Sequence, residues 1–124
     1  MINNDLKYPS MREELLRSLL ELSDAEYQRN KWLPENSLNG IPESNLDYSV
    51  HFLFDDTSLS TSPEKCIGWF LNDEREAKLV FEVIQTLSNI FTKYGTEMEG
   101  RDYIQLREWA DVVRKAKFAY DAIK

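Results

Sequence analysis

Histidine and cysteine each occur once in this chain of 124 residues, as His51 and Cys66. A single cysteine excludes an intramolecular disulfide, and a single histidine excludes any mechanism or metal site built on paired histidines within one chain. The four glycines, Gly40, Gly68, Gly95 and Gly100, lie too far apart to form a glycine-rich loop, which excludes nucleotide binding of that kind. No apolar run approaches the ~20 residues that a membrane-spanning helix needs. No basic, apolar leader occupies residues 1–10, so a cytoplasmic location is expected.

The most informative absence is one of charge. No Lys or Arg occurs between Lys31 and Lys65, while Glu35, Glu43, Asp47, Asp55 and Asp56 all fall in that gap. The net charge is −7, and residues 1–62 hold 11 acidic against 5 basic side chains, whereas residues 63–124 hold 11 against 10. Direct nucleic-acid binding is not expected from such a chain, because it is driven by Lys and Arg displacing counterions. An acidic stretch attracts a cationic partner, or serves only as a solvated surface; the residues alone leave both readings open.

What the chain does contain suits one domain over residues 1–124. With 42% apolar and 12% aromatic residues it can bury a core, and 30% charged residues supply a polar surface. The hydropathy pattern predicts a mainly α, compact helical domain with a minor β element. A first helix opens at Pro9-Ser10, with Ser10 as cap and Glu13 completing a capping box, and runs along Met11, Leu15, Leu16, Leu19, Leu20 and Leu22. A second spans Asp24 to about Lys31, with Ser23 and Glu26 repeating the capping pattern, and carries Tyr27 and Trp32 inward. Pro34, Gly40 and Pro42 make residues 33–47 a loop. The β-branched and aromatic residues of 48–54 then predict a strand, with Tyr48, Val50, Phe52 and Phe54 on one face. Its backbone would pair with the preceding loop, with Trp69 to Leu71, or with another chain.

Ser62-Pro63-Glu64 starts a short helix, with Pro63 where its missing N–H costs nothing. The clearest helix runs from Asp73 to Tyr94 on the stripe Ala77, Val80, Phe81, Ile84, Leu87 and Ile90 or Phe91, and Gly95 stops it. A closing helix is expected over Tyr103 to Ile123, with Leu106, Trp109, Val113, Ala116 and Tyr120 on its stripe.

The candidates for chemistry are few. His51 reads as an exposed or hydrogen-bonded strand residue, and Cys66, in an apolar context, as an inert buried thiol rather than a nucleophile paired with His51 and Asp55. Asp55 and Asp56, followed by Thr57 and Ser58, suit a turn better than a cation site. No catalytic residue, metal or cofactor is therefore expected. Trp32, Trp69 and Trp109 read as core, although Trp also dominates binding hot spots. An acidic, aromatic surface between Trp32 and Asp56 would grip a basic protein.

Four phrases, YPSMREELLRSLLELSDAEYQRNKW, LDYSVHFLFDDTSL, PEKCIGWFLNDEREA and YIQLREWADVVRKAK, resemble in that order a family of small acidic bacterial proteins with no established catalytic activity, similar to the immunity proteins of toxin and immunity systems such as contact-dependent growth inhibition. The resemblance implies no enzyme. It implies a protein that binds and neutralises a cognate toxin, in such systems often a basic nuclease; the residues themselves offer Trp32, Glu35, Glu43, Asp47, Asp55 and Asp56 as the contact surface, and charge and hydropathy speak against direct contact to nucleic acid or membrane. The alternative is a cytosolic adaptor or regulatory module that binds its partner, or a second copy of itself as a homodimer, by adding a strand at Tyr48 to Phe54.

Overall fold

The computed structural model describes residues 6–32, 46–55, 57–98 and 100–124. Over these residues the chain is mainly helical, as the sequence pattern predicts. Helix α1 spans Pro9–Leu22 and α2 spans Ala25–Lys31. A short α3, Leu46–Val50, runs on into a π-helical turn, His51–Asp55. A 3-10 turn, Pro63–Cys66, precedes the long α4, Glu74–Tyr94, and the chain closes with α5, Gly100–Ile104, and α6, Trp109–Ile123.

The core forms where three amphipathic helices meet. α4 packs most extensively on α6, and α6 in turn packs on α1. Leu15, Leu19 and Leu22 of α1, Val80, Val83, Ile84 and Leu87 of α4, and Val112, Ala116 and Ala119 of α6 are buried together. Each large aliphatic side chain so placed contributes about 2 kcal/mol by leaving water. The small Ala116 and Ala119 let the α6 backbone approach its neighbours. Phe70 and Leu71, on the turn before α4, and Leu53 and Leu59 close the remaining sides, all without solvent contact.

The strand expected at 48–54 is not formed; this stretch lies in α3 and the π turn. Burial explains the difference. The side chains of Leu46, Ser49, Phe52 and Leu53 are buried, a spacing of three or four that one face of a helix provides and a period of two does not. Strand propensity is a weak preference that packing overrides, and a lone strand would leave its backbone groups unpaired. An isolated bridge between Ile67 and Leu71 is the sole β pairing among the described residues. Of the loop expected at 33–47, residues 33–45 lie outside the described residues, and Leu46 and Asp47 begin α3.

Two further boundaries move. Tyr8, not Ser10, is the N-cap of α1, with Pro9 in the first turn and no side-chain cap bond. The backbone N–H of Lys7 donates to Gly68 O (3.0 Å) and that of Tyr8 to Trp69 O (2.6 Å), so pairing with the 67–71 turn sets where the helix starts. The second helix is capped by the Asp24 carboxylate, which accepts from the Tyr27 N–H at 3.0 Å, while Ser23 Oγ donates back to Leu20 O. The closing helix divides as well, because residues 105–108 turn between α5 and α6. By contrast α4 has the bounds that its sequence signals predict, with Asp73 as N-cap and Gly95 at φ +88° ending it.

Two polar clusters tie the helices together. Arg12 donates from both guanidinium nitrogens to the Glu76 carboxylate (2.9 and 3.0 Å) and also to Phe70 O (3.0 Å) and Ile123 O (2.8 Å). Glu76 further accepts from the Asn72 N–H at 2.8 Å. One ion pair thus joins α1, the turn before α4, α4 itself and the end of α6. The second cluster centres on Gln28, which is fully buried: its Nε2 donates to Glu21 O (2.9 Å) and Leu22 O (3.0 Å), and its Oε1 accepts from Trp109 Nε1 (2.9 Å). The amide thereby satisfies carbonyls at the end of α1 that the helix itself leaves open.

Candidate functional site

Of the six residues expected to bind a partner, the structure describes the side chains of two, Trp32 and Asp55. Trp32 is a correction: it is 3% exposed and packs edge-on against Trp109, with ring centroids 6.3 Å apart, so it belongs to the core. It follows α2 directly, and burying an indole there gains more than exposing it. Glu35, Glu43 and Asp56 lie outside the described residues. Asp47 sits in α3, and its side chain lies outside the described part of the chain. Asp55 is exposed, as expected, and ends the π turn.

Asp55 stands at the edge of a cleft of about 180 Å³. Leu46, Val50 and Phe54 form one wall, at successive intervals of four residues along α3 and the π turn, so they fall on one side of this helical stretch. Phe91 near the end of α4, Thr96 just beyond it and Tyr103 of α5 form the other. The three aromatic rings are in contact, Phe54 with Phe91 at 6.0 Å and Phe91 with Tyr103 at 5.6 Å between centroids, both edge-to-face. The Tyr103 hydroxyl donates to Gly95 O (2.7 Å) and accepts from the Met98 N–H (3.3 Å), holding the 95–98 loop against the cleft. A π turn widens the helix by one residue and re-aims the side chains that follow, and such turns recur at functional sites.

His51 is exposed, with its Nδ1 2.9 Å from Asp55 Oδ2, one helical turn apart. It is a surface residue, as expected, on a helical turn rather than a strand. Cys66 is fully buried, and burial first of all, with the nearby Glu64 charge, raises its thiol pKa against the lowering effect of a backbone hydrogen bond at Ser58. Such a thiol is a poor nucleophile. Of the turn expected at Asp55 and Asp56, Asp55 belongs to the π-helical turn and Asp56 lies outside the described residues; beyond them Thr57 Oγ1 donates to Leu53 O at 3.3 Å and accepts from the Leu59 N–H at 3.2 Å.

The cleft was not foreseen from the residues. Phe54 reads as strand interior, Phe91 as an alternative to Ile90 on the core stripe, and Tyr103 as the start of a helix; no local pattern joins the three. Elsewhere, Tyr8 and Trp69 form an exposed edge-to-face pair, 6.0 Å between centroids, and Leu20 and Phe118 are also exposed. Among the described residues no three His, Cys, Asp or Glu side chains are placed to hold a metal ion, and no helix is long and apolar enough to cross a membrane.

No curated protein matches the chain, and no solved structure does. A family model matches residues 6–124, and over that length the chain belongs to the family described as a domain of unknown function, DUF7945.

Proposed function

We propose that this chain is a cytoplasmic immunity protein that binds a cationic toxin domain, a basic nuclease, and neutralises it by covering its functional surface. The observation that carries this reading is the position of Asp55: an exposed carboxylate beside an aromatic cleft, within the stretch from Trp32 to Glu64 that has no Lys or Arg. Apolar contact surface next to charge of one sign is what a stable protein interface needs, the first for affinity and the second for approach and register. The polar groups of the interior support the same reading. Arg12, Glu76 and Gln28 spend their hydrogen bonds on joining helices.

In this mechanism the acidic stretch steers the partner in. Glu35, Glu43, Asp55 and Asp56 raise the local potential for a basic surface, and the bound protein then occludes that surface from RNA or DNA. Steering of this kind raises association rates by roughly ten to a thousandfold at low salt and fades as salt screens it. For the alternative, an adaptor or regulatory module, the helical form of Tyr48 to Phe54 argues against strand addition as the mode of binding.

The test pairs this chain with the product of the neighbouring gene, which this reading expects to be the toxin domain. Cells expressing the toxin should survive only when this protein is co-expressed. With Glu35, Glu43, Asp55 and Asp56 all changed to their amides, the association rate at low salt should fall on the order of tenfold and lose its salt dependence. An unchanged rate and salt slope would overturn the electrostatic mechanism, and a failure to protect would overturn the immunity reading.

A further inference from the structure

We infer that the cleft between the π turn and the end of α4 is a receptor for one arginine side chain of a partner protein. The inference rests on the protein-binding reading and names one anchoring contact within it. Three features of the cleft point to this occupant. Its walls are apolar and aromatic, with Phe91 in contact with both Phe54 and Tyr103. Its volume, about 180 Å³, corresponds to on the order of six waters or one long side chain. Among the described residues its one charged lining residue is Asp55, whose side chain is 61% exposed.

An aliphatic side chain would fill the apolar part and make no use of the carboxylate oxygen that His51 does not contact. Arginine satisfies both parts. Its methylene stem and flat guanidinium stack on aromatic rings, its charge is attracted by their faces, and its forked N–H groups fit a carboxylate. It also sheds water more readily than the compact ammonium of lysine, which favours it in an aromatic cleft. The wall formed by Leu46 to Asp55 agrees, because the stretch from Trp32 to Glu64 that contains it has no Lys or Arg to repel the incoming charge.

The site is built rather than incidental. Tyr103 is 3% exposed, and its hydroxyl bonds to Gly95 O and the Met98 N–H hold both its ring and the loop carrying Thr96. The His51 ring, 2.9 Å from Asp55 Oδ2, holds the carboxylate on the turn and leaves its second oxygen for another donor. The cleft therefore needs little rearrangement to receive a side chain, which limits the ordering cost of binding.

The experiment titrates the 15N-labelled full chain with N-acetyl-arginine methylamide and follows backbone amide shifts, with the lysine and norleucine analogues at equal ionic strength as comparisons. Saturating shifts confined to residues 50–55, 91–96 and 103 are expected, strongest for arginine and absent for norleucine. Asp55→Asn should weaken the arginine probe roughly threefold, the scale of one exposed charge pair. Phe91→Leu should weaken it further while the remaining amide spectrum stays that of the folded chain. Shifts that do not saturate, that scatter away from the cleft, that are equal for norleucine, or that ignore Asp55→Asn overturn the inference, and lysine binding as tightly as arginine overturns the choice of occupant. Loss of probe binding with toxin protection intact refutes the cleft alone; probe binding without protection refutes the immunity reading alone.

Discussion

Two acid–base pairs in this molecule use similar chemistry in opposite surroundings. Arg12–Glu76 has side chains 13% and 11% exposed and spans four segments of the chain, whereas His51–Asp55 has side chains 69% and 61% exposed and lies within one helical turn. The buried pair is bidentate and further tied to two backbone carbonyls and the Asn72 N–H. Its parts are desolvated, so each depends on the other for compensation, and losing one strands the rest. The exposed pair has water as an alternative to either partner and stabilises the fold little. One pair holds the fold together, and the other leaves a carboxylate accessible.

The largest effect expected from breaking this contrast is that of Arg12→Met. It leaves the Glu76 carboxylate buried without its cation and should cost about 3 kcal/mol, lowering the thermal midpoint by roughly 10 °C. A loss below about 1 kcal/mol in urea unfolding would show that the buried pair behaves like a surface one. Next in size is Gln28→Leu, which abandons the Trp109 Nε1–H and the Glu21 and Leu22 carbonyls and should cost about 2 kcal/mol. Because Trp109 touches Trp32, the same variant should alter tryptophan emission in the folded state.

His51→Ala should change stability by no more than about 0.5 kcal/mol, the surface end of the comparison. The finest test is one of pH. Hydrogen bonds from Lys93, first, and from the Tyr94 hydroxyl hold the Glu108 carboxyl at about 2. A carboxylate whose folded pKa lies below its ordinary value of 4.5 adds stability above that value and loses it as pH falls toward 2. Glu108→Gln should therefore be less stable than the parent at pH 6 and converge with it near pH 2, in urea midpoints measured across that range. A difference that does not shrink on acidification would remove Glu108 as its source.

The parts of the fold legible in the residues are those where the signal is local. Asp73, Glu76 and Gly95 mark the ends of α4 because caps act within a few residues, and the stripe from Ala77 to Ile90 marks its buried face for the same reason. Pro63 marks the turn before Cys66 in the same way. Where a boundary depends on a distant segment, the local signal misleads. Ser10 and Glu13 match a capping box, yet α1 begins at Pro9 because Lys7 and Tyr8 pair with Gly68 and Trp69. The candidate site was less legible than the fold. Of the two singled-out residues whose side chains the structure describes, Asp55 stands at the cleft and Trp32 lies in the core.

By itself, then, the sequence determined that the chain is mainly helical, where its longest helix starts and stops, and that its acidic charge gathers in one stretch, since each of these follows from spacing or composition. Only the tertiary structure decided that residues 46–55 are helix rather than strand. Their aromatic and β-branched side chains favour either state by a margin of at most ~1 kcal/mol, which burial of Leu46, Phe52 and Leu53 against the bundle exceeds. That same decision turns Phe54 toward Phe91 and Tyr103 and sets Asp55 beside them, a meeting of three distant segments that no spacing along the chain encodes.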